Sequence, residues 1–147
     1  MSIEGSTTTT SGPEGAAVGP ARWIRVVTLL GASAFLLFGL WAFFAPQSFF
    51  DQIATFEPYN PHLIHDLGAF QIGIGLVLLL AAYPERIDGL AAALLGAGAG
   101  AVVHVIGHVI DVDLGGKPSS DIPTLSIIAL LVIVAGYGRL RETTLRR

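Results

Sequence analysis

The chain contains no cysteine, and only 13% of its 147 residues are charged. Without thiols it can form neither a disulfide nor an iron–sulfur cluster with the usual ligands. A soluble domain carries about 25% charged residues, and here 52% of the residues are hydrophobic. The composition therefore argues against an ordinary soluble domain. No cluster of Lys or Arg suggests nucleic-acid binding, so no nucleic-acid partner is expected.

The few charged residues avoid four long stretches, which are residues 26–50, 67–83, 89–110 and 122–138. A helix needs about 20 apolar residues to cross the hydrocarbon core of a bilayer. Lipid leaves backbone groups unsolvated, so such segments must be helices or a closed barrel, and no barrel-like alternation is present. The sequence predicts an all-α, integral membrane, four-helix up-and-down bundle in contact with the lipid bilayer. The predicted spans are residues 23–45, 61–83, 89–110 and 122–140.

The segments outside the spans complete the predicted organisation. Residues 1–21 are rich in Ser, Thr, Gly and Pro and predict a disordered tail, because the apolar run that follows is too long for a cleaved signal peptide. The membrane domain then covers residues 22–141, and a basic tail covers 142–147. Between the first two spans, Phe49, Phe50, Ile53 and Phe56 predict one face of a short helix at the membrane interface.

Basic residues predict the orientation of the four spans. Seven of the eight fall on one side of the predicted topology, and only Lys117 falls on the other. Cytoplasmic loops carry the excess of Lys and Arg in membrane proteins, so both termini are expected in the cytoplasm. The seven residues are Arg22, Arg25, Arg86, Arg139, Arg141, Arg146 and Arg147.

All four histidines fall at the predicted outer end of the bundle. His104 and His108 close the third span with Asp111, at a spacing of i, i+4 and i+7 that places them on one helical stripe. His62 and His65 open the second span beside Asp66. Ionisable groups at membrane depth are costly and usually functional. The candidate site is His62, His65, Asp66, His104, His108 and Asp111.

Three hypotheses for this cluster remain open. All six residues could hold a transition metal, because neutral imidazole suits Zn, Cu, Fe or Ni and carboxylates can be ligands or acceptors behind them. Alternatively His65 and His104, one from each helix, could ligate a haem or hydrogen-bond a quinone. In the third hypothesis the histidines pair with Asp66 or Asp111 and only tie the helices together. A separate GxxxG pattern, Gly96 and Gly100, favours close helix packing within the bundle.

Two motifs resemble small bacterial, often actinobacterial, DoxX-like membrane proteins of four helices. One follows the first span and the other opens the second. The resemblance implies a small subunit or binding protein of the bacterial cytoplasmic membrane, associated with quinone- or sulfur-linked redox enzymes and with other membrane subunits. Thiol roles do not carry over, because the chain lacks cysteine. A metal-dependent membrane enzyme and a non-catalytic assembly protein are the alternatives. The matching residues are Ala45, Pro46, Ser48, Phe49, Phe50 and Asp51, then Pro58, Tyr59, Asn60, His62, Leu63, Asp66 and Gly68.

Overall fold

Four long apolar helices make up most of the protein. The computed structural model describes residues 22–54, 58–114 and 117–145. The predicted tail at residues 1–21 lies outside them, as do residues 146 and 147. Each of the four long helices is apolar and long enough to cross a membrane. The predicted all-α four-helix membrane fold is therefore confirmed. The helices are α1 (Arg22–Phe44), the short α2 (Pro46–Phe49), α3 (Pro61–Ala81), α4 (Gly89–Ile110) and α5 (Pro118–Leu145).

The outer surface of the four long helices is itself apolar. Large side chains such as Leu37, Phe44, Leu131 and Val134 are 59–76% exposed. A water-soluble monomer rarely carries a contiguous apolar surface of this extent. In a bilayer these side chains contact lipid, so the exposed surface agrees with a multi-pass membrane protein.

Glycines let neighbouring helices approach closely. Gly39 of α1 meets Gly68 and Ile72 of α3, and Gly100 of α4 meets Gly73 of α3. At both places an added Cβ would lie within 3.1 Å of backbone atoms of the other helix. The GxxxG pattern of α4 thus packs within the chain, as predicted, and the small residues bring α3 and α4 into register.

Successive long helices pack antiparallel in the order α1, α3, α4 and α5. On α4, Gly96 contacts Val77 of α3, whereas Gly98, two residues later, contacts Ile133 of α5. Residues two apart on a helix point in nearly opposite directions. Helices α3 and α5 therefore lie on opposite sides of α4. Among the described residues α1 and α5 share no extensive contact, so the bundle is open between them.

Ion pairs join the helices at the end away from the histidines. Arg25 of α1 lies 2.7 Å from Glu85 in the turn between α3 and α4, and Arg139 of α5 lies 2.8 Å from Asp88. Asp88 also caps α4 by accepting a hydrogen bond from the Ala91 N–H. That N–H, together with Arg139, holds the pKa of the Asp88 carboxyl below its usual value. A charged Asp88 thus stabilises both the start of α4 and its contact with α5.

The link between α1 and α3 folds back onto the protein. Helix α2 continues into a π-helical turn (Phe50–Ala54), and Phe49 packs edge-on against Trp41 with ring centroids 5.6 Å apart. Phe49 and Phe50 are buried, whereas Ile53 is 49% exposed. The prediction that these three share one interfacial face is wrong, because a π-helical turn changes the helical period. Phe56, the fourth residue of that prediction, lies outside the described residues.

Candidate metal centre

Two helix ends bring the six candidate residues together. Helix α3 begins at Pro61, and the Asn60 side chain caps it by accepting a hydrogen bond from the Leu63 N–H. This start places His62, His65 and Asp66 in the first two turns of α3. Because α3 and α4 are antiparallel, the first turns of α3 lie beside the last turns of α4. His104, His108 and the C-terminal cap residue Asp111 occupy that end of α4.

The Asp111 carboxylate connects two histidines of α3. Its Oδ2 atom lies 2.7 Å from Nδ1 of His65 and 3.1 Å from Nδ1 of His62. An ionised carboxylate only accepts hydrogen bonds, so we infer that both Nδ1 atoms carry a proton. In a neutral imidazole this leaves the lone pair on Nε2. Asp111 is only 4% exposed, so these contacts are shielded from solvent.

A second group of side chains converges around Asp66. Nε2 of His104 lies 3.1 Å from Asp66 Oδ1, and Nε2 of His62 lies 3.6 Å from Asp66 Oδ2. Nε2 of His108 lies 3.0 Å from Nε2 of His104. The ligand atoms of His62, Asp66 and His108 are all within 4.8 Å of one another. The ligand atoms of His62, Asp66 and His108 could therefore share one ion, and His104 adjoins this group through Asp66 and His108.

These separations approach those of a tetrahedral metal site. With metal–ligand bonds of about 2.0–2.1 Å, ligand atoms at the corners of a tetrahedron lie about 3.3–3.4 Å apart. Three of the observed separations run from 3.0 to 3.6 Å. The ligand atom of His108 lies within 4.8 Å of those of His62 and Asp66. To reach tetrahedral spacing, each of these two distances would have to shorten by at most about 1.5 Å.

In the part of the chain that the structure describes, one carboxylate oxygen of Asp66 is buried without a hydrogen bond, as expected of an atom that binds a cation. Its Oδ1 atom is buried and, among the described residues, accepts no hydrogen bond, although His104 Nε2 is 3.1 Å away. A buried carboxylate oxygen without a hydrogen bond is costly. Two Nε2 atoms at 3.0 Å also need a proton or a cation between them. A cation bound beside Asp66 would satisfy this oxygen and could also lie between His104 and His108.

His65 contacts Asp111 and Phe43. Its Nδ1 atom faces Asp111, and its ring lies 5.4 Å from that of Phe43 on α1. His104 instead has Asp66, His108 and the ring of Phe70 as neighbours, the last with centroids 5.1 Å apart. The two histidines predicted to share a haem or quinone thus have different partners. Their pairing around one cofactor stays a prediction.

Two aromatic residues of this site were not among those predicted from the sequence. Phe70 follows Asp66 by four residues on α3, so helical spacing alone could have identified it. Phe43 comes from α1, and no spacing in the sequence relates it to His65. Comparison of the chain with protein-family models, curated proteins and solved structures finds no match. The resemblance to DoxX-like proteins therefore stays a prediction.

Proposed function

We propose that this chain is a small multi-pass membrane protein that binds one divalent transition-metal ion at the outer end of the bundle. The observation that carries the proposal is that ligand atoms of His62, Asp66 and His108 lie within 4.8 Å of one another, with His104 Nε2 3.1 Å from Asp66 and 3.0 Å from His108. The direct ligands are His62, Asp66, His104 and His108. Three imidazoles and a carboxylate form a donor set suited to Zn²⁺ and to other borderline first-row ions.

Asp111 and His65 are not ligands in this proposal: Asp111 orients the ligand His62, and His65 in turn orients Asp111. Histidines bound to a metal usually donate their second N–H to a carboxylate, which fixes the ring and raises its basicity. Asp111 stands in that relation to His62, at 3.1 Å from its Nδ1 atom. His65 holds the other side of the same Asp111 oxygen at 2.7 Å. The six residues thus divide into four ligands and two supporting groups.

We also propose a membrane and an orientation for the protein. The proposed location, the bacterial cytoplasmic membrane, is supported by the DoxX-like motifs. The proposed cytoplasmic position of both termini is supported by basic residues such as Arg25, Arg86 and Arg139. The metal site then faces the outside of the membrane. A role as a subunit beside redox enzymes is supported by the DoxX-like motifs alone. Zinc would make the site redox-inactive, whereas copper or iron would allow electron transfer.

Metal analysis of the protein purified in mild detergent tests the proposal. We expect close to one ion per chain, and loss of that ion in the double variant His104→Ala, His108→Ala. Elution volume in size-exclusion chromatography shows whether the variant remains folded. Substoichiometric metal that the double substitution leaves unchanged would rule out the site. A Soret band in the absorption spectrum would instead support the haem hypothesis for His65 and His104.

A further inference from the structure

Gln71 is a polar residue at the middle of a membrane-spanning helix. It lies halfway along α3, which has 21 residues, so about 15 Å of helix separates it from each end. The hydrocarbon core of a bilayer is about 30 Å thick, which places Gln71 near its centre. Its side chain is too short to reach water from there. Polar side chains at this depth are costly and usually have a partner or a function.

The side-chain amide of Gln71 has no hydrogen-bond partner within the described ranges of the chain. The amide carries one acceptor oxygen and two N–H donors. Lipid chains offer neither donors nor acceptors, and the backbone groups of membrane helices bond within their own helix. An amide left without hydrogen bonds in hydrocarbon is costly. A polar group from another protein chain would remove this cost.

Gln71 lines a groove of about 240 Å³ between α1 and α3, together with Ala34, Phe35 and Phe38 of α1. These three α1 residues are exposed, so the groove opens toward the lipid. The stem of Gln71 is held at the α1–α3 contact, because an added Cβ at Gly39 would lie 3.0 Å from the Gln71 Cβ. The small side chain of Ala34 leaves room for another helix to approach closely.

We propose that a second copy of this chain packs on the groove and that the Gln71 amides of the two copies bond to each other. Copies of a membrane protein share one orientation, so the two-fold axis of a dimer runs along the membrane normal. Such an axis keeps every residue at its own depth, and Gln71 therefore meets its own copy at the centre of the bilayer. The amide is self-complementary, because each carbonyl oxygen can accept a hydrogen bond from the NH2 group of the other. The inference is independent of the proposed metal site, whose residues lie at the outer ends of α3 and α4.

The test measures self-association of the full chain in phospholipid vesicles by Förster resonance energy transfer. Because the chain has no cysteine, donor and acceptor dyes can be attached at a single position through Lys117→Cys. We expect energy transfer to rise to saturation as the protein-to-lipid ratio increases, with a midpoint set by dimerisation. Gln71→Leu should move that midpoint at least about fivefold toward higher protein density, as expected for the loss of two interhelical hydrogen bonds in lipid. Helicity in detergent should stay at the wild-type value, because the amide has no partner among the described residues of its own chain.

A matched pair of substitutions locates the contact. Ala34→Phe fills the groove and should weaken association at least about fivefold, since close helix approach in lipid depends on small residues. Ala135→Phe should leave association unchanged, because Ala135 is an exposed α5 residue outside the groove lining. Equal shifts by these two variants would overturn the groove as the contact, and a midpoint that Gln71→Leu leaves unchanged would overturn the amide pair. Energy transfer at the random-collision level at every protein density would overturn the second copy as the occupant and would point to a different membrane protein.

Discussion

Gly100 is the position where helix packing and the metal site depend most directly on each other. In Gly100→Ala the new Cβ would lie 2.6 Å from the Cα and 3.1 Å from the N of Gly73 on α3. Both are backbone atoms that cannot rotate away. Ordinary van der Waals contact begins near 3.4 Å, so α3 and α4 must separate by about 0.8 Å at this point.

The separation has different consequences for stability and for metal binding. Alanine favours a helix over glycine by about 1 kcal/mol, and overpacking costs about 1–3 kcal/mol, so the net destabilisation is about 0–2 kcal/mol. His104 follows Gly100 by one turn, whereas Asp66 lies on α3. Metal–ligand distances tolerate only about 0.2 Å, which is well below the shift. We therefore expect metal affinity to fall roughly tenfold or more, as when the support of a ligand is lost.

The assay pairs thermal unfolding in detergent with competition for zinc by a chelator of known affinity. Gly138→Ala is the control, because a Cβ at Gly138 of α5 meets nothing within 4 Å. It should stabilise the protein by up to about 1 kcal/mol and leave zinc binding unchanged. The reasoning is refuted if Gly100→Ala is also stabilised and binds zinc as tightly as the wild type. That result would mean that the glycine contact does not set the spacing of the ligands.

Two further predictions concern the support of the site and its orientation. Asp111→Asn should lower zinc affinity about 10–100-fold, because it removes the carboxylate that accepts hydrogen bonds from His62 and His65. The control Asp113→Asn, at an exposed position, should leave zinc affinity unchanged. Equal effects of the two substitutions in the chelator assay would contradict a supporting role for Asp111. Because the chain has no cysteine, single variants Lys117→Cys and Arg86→Cys can report topology. In intact cells a membrane-impermeant maleimide should label only Lys117→Cys, and the opposite pattern would reverse the proposed orientation.

The membrane helices could be predicted from the sequence because lipid imposes a strict rule. Spans expected at residues 61–83 and 89–110 correspond to Pro61–Ala81 and Gly89–Ile110. The fourth helix is longer than predicted at both ends, since hydropathy detects the apolar part of a helix and not its polar turns. The fate of Phe49 and Phe50 could not be predicted. Burial in protein and burial at a membrane interface both favour aromatic residues, so composition does not distinguish them.

The location of the candidate site could be predicted, but its division into two groups could not. Helical spacing and antiparallel packing were enough to place the histidines at one end of α3 and α4. Which ring nitrogen meets which carboxylate depends on how far each helix rotates, and the glycine contacts between the helices set that rotation. His62 and His65 are equivalent in the sequence pattern. In the structure His62 faces both Asp66 and Asp111, whereas His65, among the described carboxylates, faces only Asp111.

That difference between His62 and His65 gives a direct choice between the metal and the haem or quinone hypotheses. His62→Ala removes a proposed ligand and should abolish stoichiometric metal binding. His65→Ala removes only a partner of Asp111, so metal should remain bound with affinity reduced by about tenfold. Metal content and chelator competition measure both variants, with unfolding temperature as the check on folding. If His65→Ala loses a bound chromophore and His62→Ala keeps it, the pair His65 and His104 holds the cofactor. The four-ligand metal site would then be wrong, because its geometry gives His65 no direct contact with the ion.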